Sequence, residues 1–249
     1  MMKLQSGLSR NYCRWRRNNK SMSMTEHPLR RRVVAEALGT GLLVAAVVGS
    51  GIMAERLAGG NIALALLANT IATGAILVAL ILAFGSISDA HFNPAVSLAF
   101  GFRKLMPWQE VAPYVAAQFI GAVLGTLLAH VMFGKEMYSL SHHERSGIGQ
   151  FVSEFVATFG LLCMIWGCLR VKSAMAVSVG VATYIVAAYW FTASTSFANP
   201  AVTVARSITD SFAGIRPIDV PAFLLAQTLG AVVATWLFEW LLHEPLPSK

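Results

Sequence analysis

The sequence predicts an all-α membrane protein with six spans and two short re-entrant helices, arranged as an inverted repeat. Its composition, six long apolar runs and a duplicated Asn-Pro-Ala tripeptide support this fold class. Of the 249 residues, 56% are hydrophobic and only 12% are charged. This is too little charge to cover a soluble globule of this size, so the chain is expected to lie in a membrane.

Six segments are long and apolar enough to cross a bilayer, which takes about 20 residues each. The predicted spans are 33–53, 61–84, 111–133, 151–169, 174–195 and 221–242.

Nine of the nineteen Lys and Arg residues precede residue 33, and fourteen of the nineteen lie on the side that holds both termini. The positive-inside rule therefore predicts two cytoplasmic termini in the inner (plasma) membrane. We expect residues 1–32 to form a disordered basic arm and 33–249 to form the membrane domain. An alternative is that translation starts within this segment, at Met22 or Met24. Basic residues beside a membrane are a topology signal, so no nucleic-acid partner is predicted.

The two halves of the chain, about 33–134 and 150–243, repeat one another. Matching residues recur at matching places: Glu36 with Glu154, Gly74 with Gly180, and Gln118 with Gln227. Three spans per half force the second copy to insert upside down, which gives an inverted repeat.

Each half contains one Asn-Pro-Ala tripeptide, between its second and third span. The two copies are Asn93-Pro94-Ala95 and Asn199-Pro200-Ala201. Asn is a strong helix N-cap, and Pro suits the first helical position because it has no N–H to lose. We therefore expect two half-helices that begin near the membrane midplane, with both Asn amides free to donate into an aqueous path.

The paired Asn-Pro-Ala motifs resemble the major intrinsic protein family, the aquaporins and aquaglyceroporins, over residues 30–243. The resemblance implies an aquaporin-like right-handed bundle of six transmembrane helices with two half-helices. It also implies a homotetramer in which each protomer has its own pore for small neutral solutes. No cofactor is implied.

Glu36 and Glu154 are ionisable groups inside predicted spans, so a proton relay is one interpretation. Their equal placement in both halves favours a brace instead. By resemblance, each carboxylate accepts backbone N–H groups from a re-entrant loop.

The sequence departs from the family at the narrowest point of the pore. An Arg usually follows the second Asn-Pro-Ala, but Val202 stands there. Carried over by spacing, the other constriction residues are Thr73, Ala187 and Ser196. These side chains are small and uncharged, so a wide filter is expected. Strict water selectivity is not expected.

Three more residues are candidates for the mouths of the path. Arg206 lies one helical turn beyond Val202, where it either partly replaces the missing charge or pairs with Asp210 at i, i+4. His91 either donates to solute or contacts the loop backbone. Asp89 either attracts cations or partly offsets the dipole at the start of the first half-helix, or it is a solvated loop residue.

The segment 197–207 resembles a bacterial branch that accompanies arsenic resistance, which suggests trivalent arsenic and antimony hydroxides as substrates. The alternatives are a water and glycerol facilitator without a metalloid role, and a non-conducting membrane scaffold. An enzyme is not predicted, because no nucleophile with a nearby His and no nucleotide motif is present. Neither a metal site at His142-His143-Glu144 nor a disulfide among the three cysteines is predicted.

Overall fold

The computed structural model describes residues 27–242, which form eight α-helices and a short 3-10 helix. The helices are α1 Leu29–Leu57, α2 Ile62–Ser88, α3 Pro94–Phe102, α4 Trp108–Met132, α5 Ile148–Leu169, α6 Ala174–Phe191, α7 Pro200–Arg206 and α8 Val220–Leu241. The 3-10 helix, Pro217–Asp219, leads directly into α8.

Six of these helices are long and apolar enough to cross a membrane, as predicted. The first begins at Leu29, four residues before the predicted boundary, so residues 29–32 are helical rather than part of a disordered arm. Arg32 is buried there, and its Nη2 atom lies 2.7 Å from Glu110 on α4. The rest of the predicted arm, residues 1–26, lies outside the described residues.

The two remaining helices, α3 and α7, are short and lie between the second and third span of each half. Both ends of the described chain lie on one side of the bundle, which we call the terminal face. The opposite side, which carries the connection 133–147, is the loop face. From their starts near the centre, α3 runs towards the terminal face and α7 towards the loop face.

Small residues let the first and third spans within each half approach closely. A Cβ atom on Gly121 of α4 would clash with the carbonyl of Ala37 on α1, and one on Gly230 of α8 would clash with the carbonyl of Phe155 on α5. Gly125 makes a similar approach to Gly41. Gly121 and Gly125 thus permit a close helix contact of the kind that lipid alone does not drive.

The connection 133–147 folds over the loop face and is tied to the segment that follows α7. Ser141 donates its backbone N–H to the carbonyl of Ser207 at 3.0 Å. Below it, the buried His130 side chain lies 2.8 Å from Thr209 Oγ1 through Nε2 and 3.1 Å from the Met137 carbonyl through Nδ1. Since a carbonyl only accepts, Nδ1 donates to Met137.

Candidate functional site

The two half-helices start as predicted. The side-chain oxygen of Asn93 accepts the Ala95 N–H at 2.9 Å, and that of Asn199 accepts the Ala201 and Val202 N–H groups at 3.0 and 3.3 Å. A proline occupies the first position of each helix. The N-cap prediction is therefore confirmed in both copies.

The two Asn side chains also connect the halves of the protein. Asn93 Nδ2 donates to the Ala198 carbonyl at 2.7 Å, and Asn199 Nδ2 donates to the Phe92 carbonyl at 2.8 Å. We expected both amide hydrogens to be free, but each Asn commits one of them to the opposite loop. One N–H per Asn remains, and both residues line the central cavity.

The loops before the half-helices have the same left-handed backbone at matching positions. Their φ values are 64° and 60° four residues before the Asn, 49° and 51° three before it, and 47° and 48° one before it. The residues are Asp89, Ala90 and Phe92, and Thr195, Ser196 and Ala198. A non-glycine residue in this region costs on the order of 1 kcal/mol or more, so surrounding contacts must hold each loop.

This backbone leaves acceptors unused along the loops. The carbonyl oxygens of Ala90, His91, Ser196 and Phe197 accept no hydrogen bond from any other described residue. All four residues line the cavity. They are therefore available to accept hydrogen bonds from a bound molecule.

Glu36 holds the first loop. Its fully buried carboxylate accepts the N–H groups of His91 and Phe92 at 3.0 and 2.7 Å, the Ser88 hydroxyl at 2.7 Å and the Gln118 amide at 2.7 Å. Four donors around one carboxylate are the contacts that the brace interpretation expects.

Glu154 holds the second loop in the same way. It accepts the N–H groups of Phe197 and Ala198 at 2.8 and 2.9 Å and the Gln227 amide at 2.6 Å. It lacks the hydroxyl donor that Glu36 has, because Ser194, which matches Ser88, contacts Thr192 instead at 3.5 Å.

A cavity of about 550 Å³ runs along the half-helix starts. The aliphatic part of its lining comes from four spans and consists of Leu43, Val47, Leu77, Ile81, Leu161, Ile165, Val181 and Ile185. The polar lining comes mainly from the two loops, the two Asn residues and Arg206, with Asp89 and Lys172 towards the terminal face. The cavity therefore combines apolar side chains from the spans with a set of hydrogen-bonding groups, which we call the polar track.

Three of the four predicted constriction residues, Thr73, Ser196 and Val202, line this cavity. The position predicted for Ala187 is wrong, because Ala187 is exposed on the outer side of α6. The α6 residues that face the cavity are four apart and include Tyr189, whose hydroxyl lies 3.2 Å from Thr73 Oγ1. Two positions along a helix turn a side chain by about 200°, which explains the error.

Arg206 lines the same cavity and is only 2% exposed. Its Nε donates to the Ala213 carbonyl, and its guanidinium carbon lies 3.4 Å from the centre of the Phe197 ring. The alternative pair with Asp210 is wrong. Asp210 accepts the backbone N–H of His142 at 3.0 Å and lies 3.2 Å from its ring Nδ1. The site is therefore charged rather than uncharged.

His91 and Asp89 line the cavity on the side of the terminal face. His91 Nδ1 lies 3.0 Å from the hydroxyl of Ser97, which also accepts a hydrogen bond from the Gln118 amide. The other ring nitrogen of His91, Nε2, is buried without a partner among the described residues. Asp89 ends α2 in a left-handed conformation and is partly exposed.

Arg145 is a residue that sequence reasoning missed. It is 6% exposed, donates through Nη1 to the Ser194 carbonyl at 3.0 Å and through Nε to the Gly214 carbonyl at 2.8 Å. Burial lowers the pKa of Arg145 to about 10, so it stays charged at neutral pH. Because it lies in a polar connection, no periodicity or motif marks it.

The adjacent His142, His143 and Glu144 do not form a metal site. His142 pairs with Asp210, while Glu144 lies 3.1 Å from Arg216. Within residues 27–242, no group of three potential metal ligands is close enough to hold an ion.

Comparisons with known proteins agree with this geometry. The family described as Major intrinsic protein matches residues 23–175. Aquaglyceroporin AqpS of Rhizobium meliloti (strain 1021) is 56% identical over 225 residues, which cover 90% of this chain and 95% of that protein. Nodulin-26 of Glycine max is 28% identical over 92% of this chain and 84% of its own.

The fold also matches a solved structure, the aquaglyceroporin from Plasmodium falciparum, with a TM-score of 0.68 and 22% identity. The match covers 85% of this chain and 96% of that one. Together with the paired half-helices, the family match over more than half of the chain identifies it: this protein belongs to the major intrinsic protein family.

Proposed function

We propose that this protein is a passive, bidirectional channel for glycerol-like polyols and for the trivalent hydroxides of arsenic and antimony. This extends the passive water and glycerol-type transport of its family. The observation that carries the proposal is the mixed lining of the cavity, which combines aliphatic side chains with the polar track. A polyol has the matching character, because it carries both C–H groups and hydroxyls.

The polar track offers both donors and acceptors. Asn93 and Asn199 each keep one amide hydrogen, and the unpaired loop carbonyls lie on either side of them. A hydroxyl group that leaves water needs both kinds of partner to replace its lost hydrogen bonds. Polyols and neutral hydroxides supply hydroxyls of this kind.

Charge at the same site disfavours cations. Both half-helices point their positive N-terminal ends at the centre, and Arg206 adds a fixed charge at one end of the cavity. A cation would lose its hydration without a compensating ring of acids. The trivalent arsenic hydroxide is uncharged near neutral pH, so it avoids this barrier.

We further propose that Thr73, Tyr189, Ser196 and Val202 set the width of the path, while Arg206 supplies the charge that usually follows the second Asn-Pro-Ala. Val202 has no donor and is much shorter than Arg, which leaves room for solutes larger than water. Arg206 reaches the cavity from one turn further along α7.

The first test is stopped-flow light scattering on proteoliposomes of the purified chain, with glycerol and arsenite as separate solutes. Swelling in both at several times the rate of empty vesicles is the expected result. Glycerol flux without arsenite flux would leave a facilitator with no metalloid role. No flux of either solute or of water would leave a non-conducting scaffold.

The width assignment is tested by Val202→Arg. We expect it to keep water flux and to cut glycerol and arsenite flux at least tenfold, because a second guanidinium would narrow the path. The control is Ile218→Arg, which adds the same charge at a residue that is 80% exposed on the loop face. Unchanged glycerol and arsenite flux in well-folded Val202→Arg protein would refute the assignment.

Assembly and orientation are also proposals. The family resemblance supports a homotetramer, which light scattering in detergent would test. The basic residues on the side of the termini support cytoplasmic termini in the inner membrane. Single cysteines placed at Lys104 and at Glu136 would test the orientation. When a thiol reagent that does not cross the membrane is added to intact cells, only the second site should react.

A further inference from the structure

The Arg206 side chain is held in a fixed orientation. Nε donates to the Ala213 carbonyl, and the guanidinium carbon lies 3.4 Å from the centre of the Phe197 ring. Neither contact uses the two Nη atoms, and these atoms donate no hydrogen bond to any other described residue. Because Arg206 lines the cavity, this leaves the terminal fork of the guanidinium for a ligand.

The charge of this fork is not balanced locally. Across the described chain, no carboxylate oxygen lies within 4.0 Å of the guanidinium of Arg206 or of Arg145. The Arg145 guanidinium carbon is 4.9 Å from the centre of the same Phe197 ring, which brings a second positive charge close to the first.

The nearby acids are engaged elsewhere. Asp210 contacts His142, and Asp219 pairs with Arg216 at 3.0 Å. Glu154 accepts two loop N–H groups and the Gln227 amide, so its lone pairs point at the backbone it braces. A buried cation without a paired anion is costly, and a small anion would relieve that cost.

Hydroxyl groups complete the surroundings. Ser196 Oγ is buried without a hydrogen-bond partner, and Ser196 lines the cavity with Arg206. Tyr189 and Thr73 contribute two more hydroxyls to the same lining. These groups can donate to anion oxygens that the guanidinium leaves free.

We propose that Arg206 and Ser196 form a binding site for a small monovalent carboxylate, such as formate. The carboxylate binds through two parallel N–H···O bonds to the Nη fork, a geometry for which the guanidinium is suited. Because Arg206 lies at one end of the cavity, the bound anion obstructs the path of neutral solutes. The site therefore makes the channel sensitive to inhibition by small organic anions.

The experiment uses the full-length protein and sodium formate, with sodium gluconate at equal ionic strength as the bulky reference anion. Binding is followed by thermal unfolding in detergent, and inhibition by glycerol flux in proteoliposomes. We expect formate to raise the unfolding temperature and to lower glycerol flux at least threefold. Arg206→Gln should abolish both effects, whereas Arg56→Gln, which removes an exposed charge on the loop face, should keep both.

Absence of a formate effect in the wild-type protein, or an equal effect in Arg206→Gln, would overturn the proposal. If Arg206→Gln does not fold, Arg206→Lys keeps the charge without the fork, and its formate response should need at least fivefold more anion. An equal response in that variant would also overturn it. Wild-type protein without glycerol flux would refute the proposed transport alone, because thermal unfolding tests the anion site independently.

Discussion

The two re-entrant loops are nearly identical in backbone and different in charge. Their left-handed residues agree within a few degrees at matching positions, and each loop is braced by a buried glutamate. Yet the carbonyl of Ser88 is held by the neutral hydroxyl of Tyr114 at 3.2 Å, while that of Ser194 is held by charged Arg145.

This comparison separates the contacts that the loop geometry requires from the contacts that can differ between the two halves. A strained loop at membrane depth needs partners for its buried N–H groups, and each half meets this need with one glutamate at the equivalent position. The charge of the remaining donor is not constrained in the same way. One end of the path therefore acquires two guanidinium groups without changing the loop backbone.

The largest expected effect comes from removing either brace. Glu36→Gln and Glu154→Gln would each place an amide donor against backbone donors, at a cost of about 3–5 kcal/mol of folding free energy. Glu36→Gln should be the worse of the two, because Glu36 has four donors and Glu154 has three. The yield of monodisperse protein in detergent and its unfolding temperature measure the effect.

A proton relay would give a different result. If either Gln variant remained folded and lost only a pH-dependent step of transport, the brace interpretation would fail. Equal losses from the two variants would show that the Ser88 donor adds nothing.

The next effect concerns the donors that differ between the loops. Arg145→Met removes hydrogen bonds to the Ser194 and Gly214 carbonyls and should cost about 2–3 kcal/mol, since the donor is charged. Tyr114→Phe removes one neutral hydrogen bond and should cost about 1 kcal/mol. Thermal unfolding of both variants in the same detergent measures the difference between their losses of stability. A larger loss from Tyr114→Phe would mean that the charged donor is not the stronger one.

The smallest effect concerns the loop face, where His142 and Asp210 tie two connections together. The backbone N–H of His142, followed by its ring, lowers the pKa of Asp210. A lowered carboxylate pKa stabilises the folded state above the unfolded pKa, and this contribution is lost as pH falls through the folded pKa. Asp210→Asn should therefore lower the unfolding temperature by about 1–2 °C near neutral pH.

The same variant should match the wild type once the pH lies below the lowered pKa of Asp210, where the carboxylate is protonated in both folded and unfolded chains. Glu136→Gln, at an exposed acid of the same connection, serves as the control and should change little at either pH. A loss of stability in Asp210→Asn that does not depend on pH would point to shape rather than charge at this contact.

The sequence predicted the fold well because its signals are local or duplicated. Apolar runs gave the spans within a few residues, and the Asn-Pro pairs fixed the first residue of both half-helices. The start of α1 was missed because Arg30 to Arg32 look like a polar arm, although Arg32 is buried against Glu110.

The constriction was harder to predict because it depends on helix rotation and on long-range contacts. Spacing from Asn199 placed Ala187 at the site, but α6 turns Tyr189 towards the cavity instead. The apolar Val181 and Ile185 share that face with Tyr189, so periodicity within α6 was a usable signal. For Arg145 no comparable signal exists, since its partners are 49 and 69 residues away in sequence.

The crossed hydrogen bonds of Asn93 and Asn199 have a consequence for biogenesis. Each Asn donates to a carbonyl in the opposite half, so the first loop cannot complete its contacts until residue 198 has been synthesised and inserted. During translation, the first three spans must therefore wait in the membrane with an unfinished loop. Two separately expressed halves should assemble into one functional unit, while either half alone should be degraded.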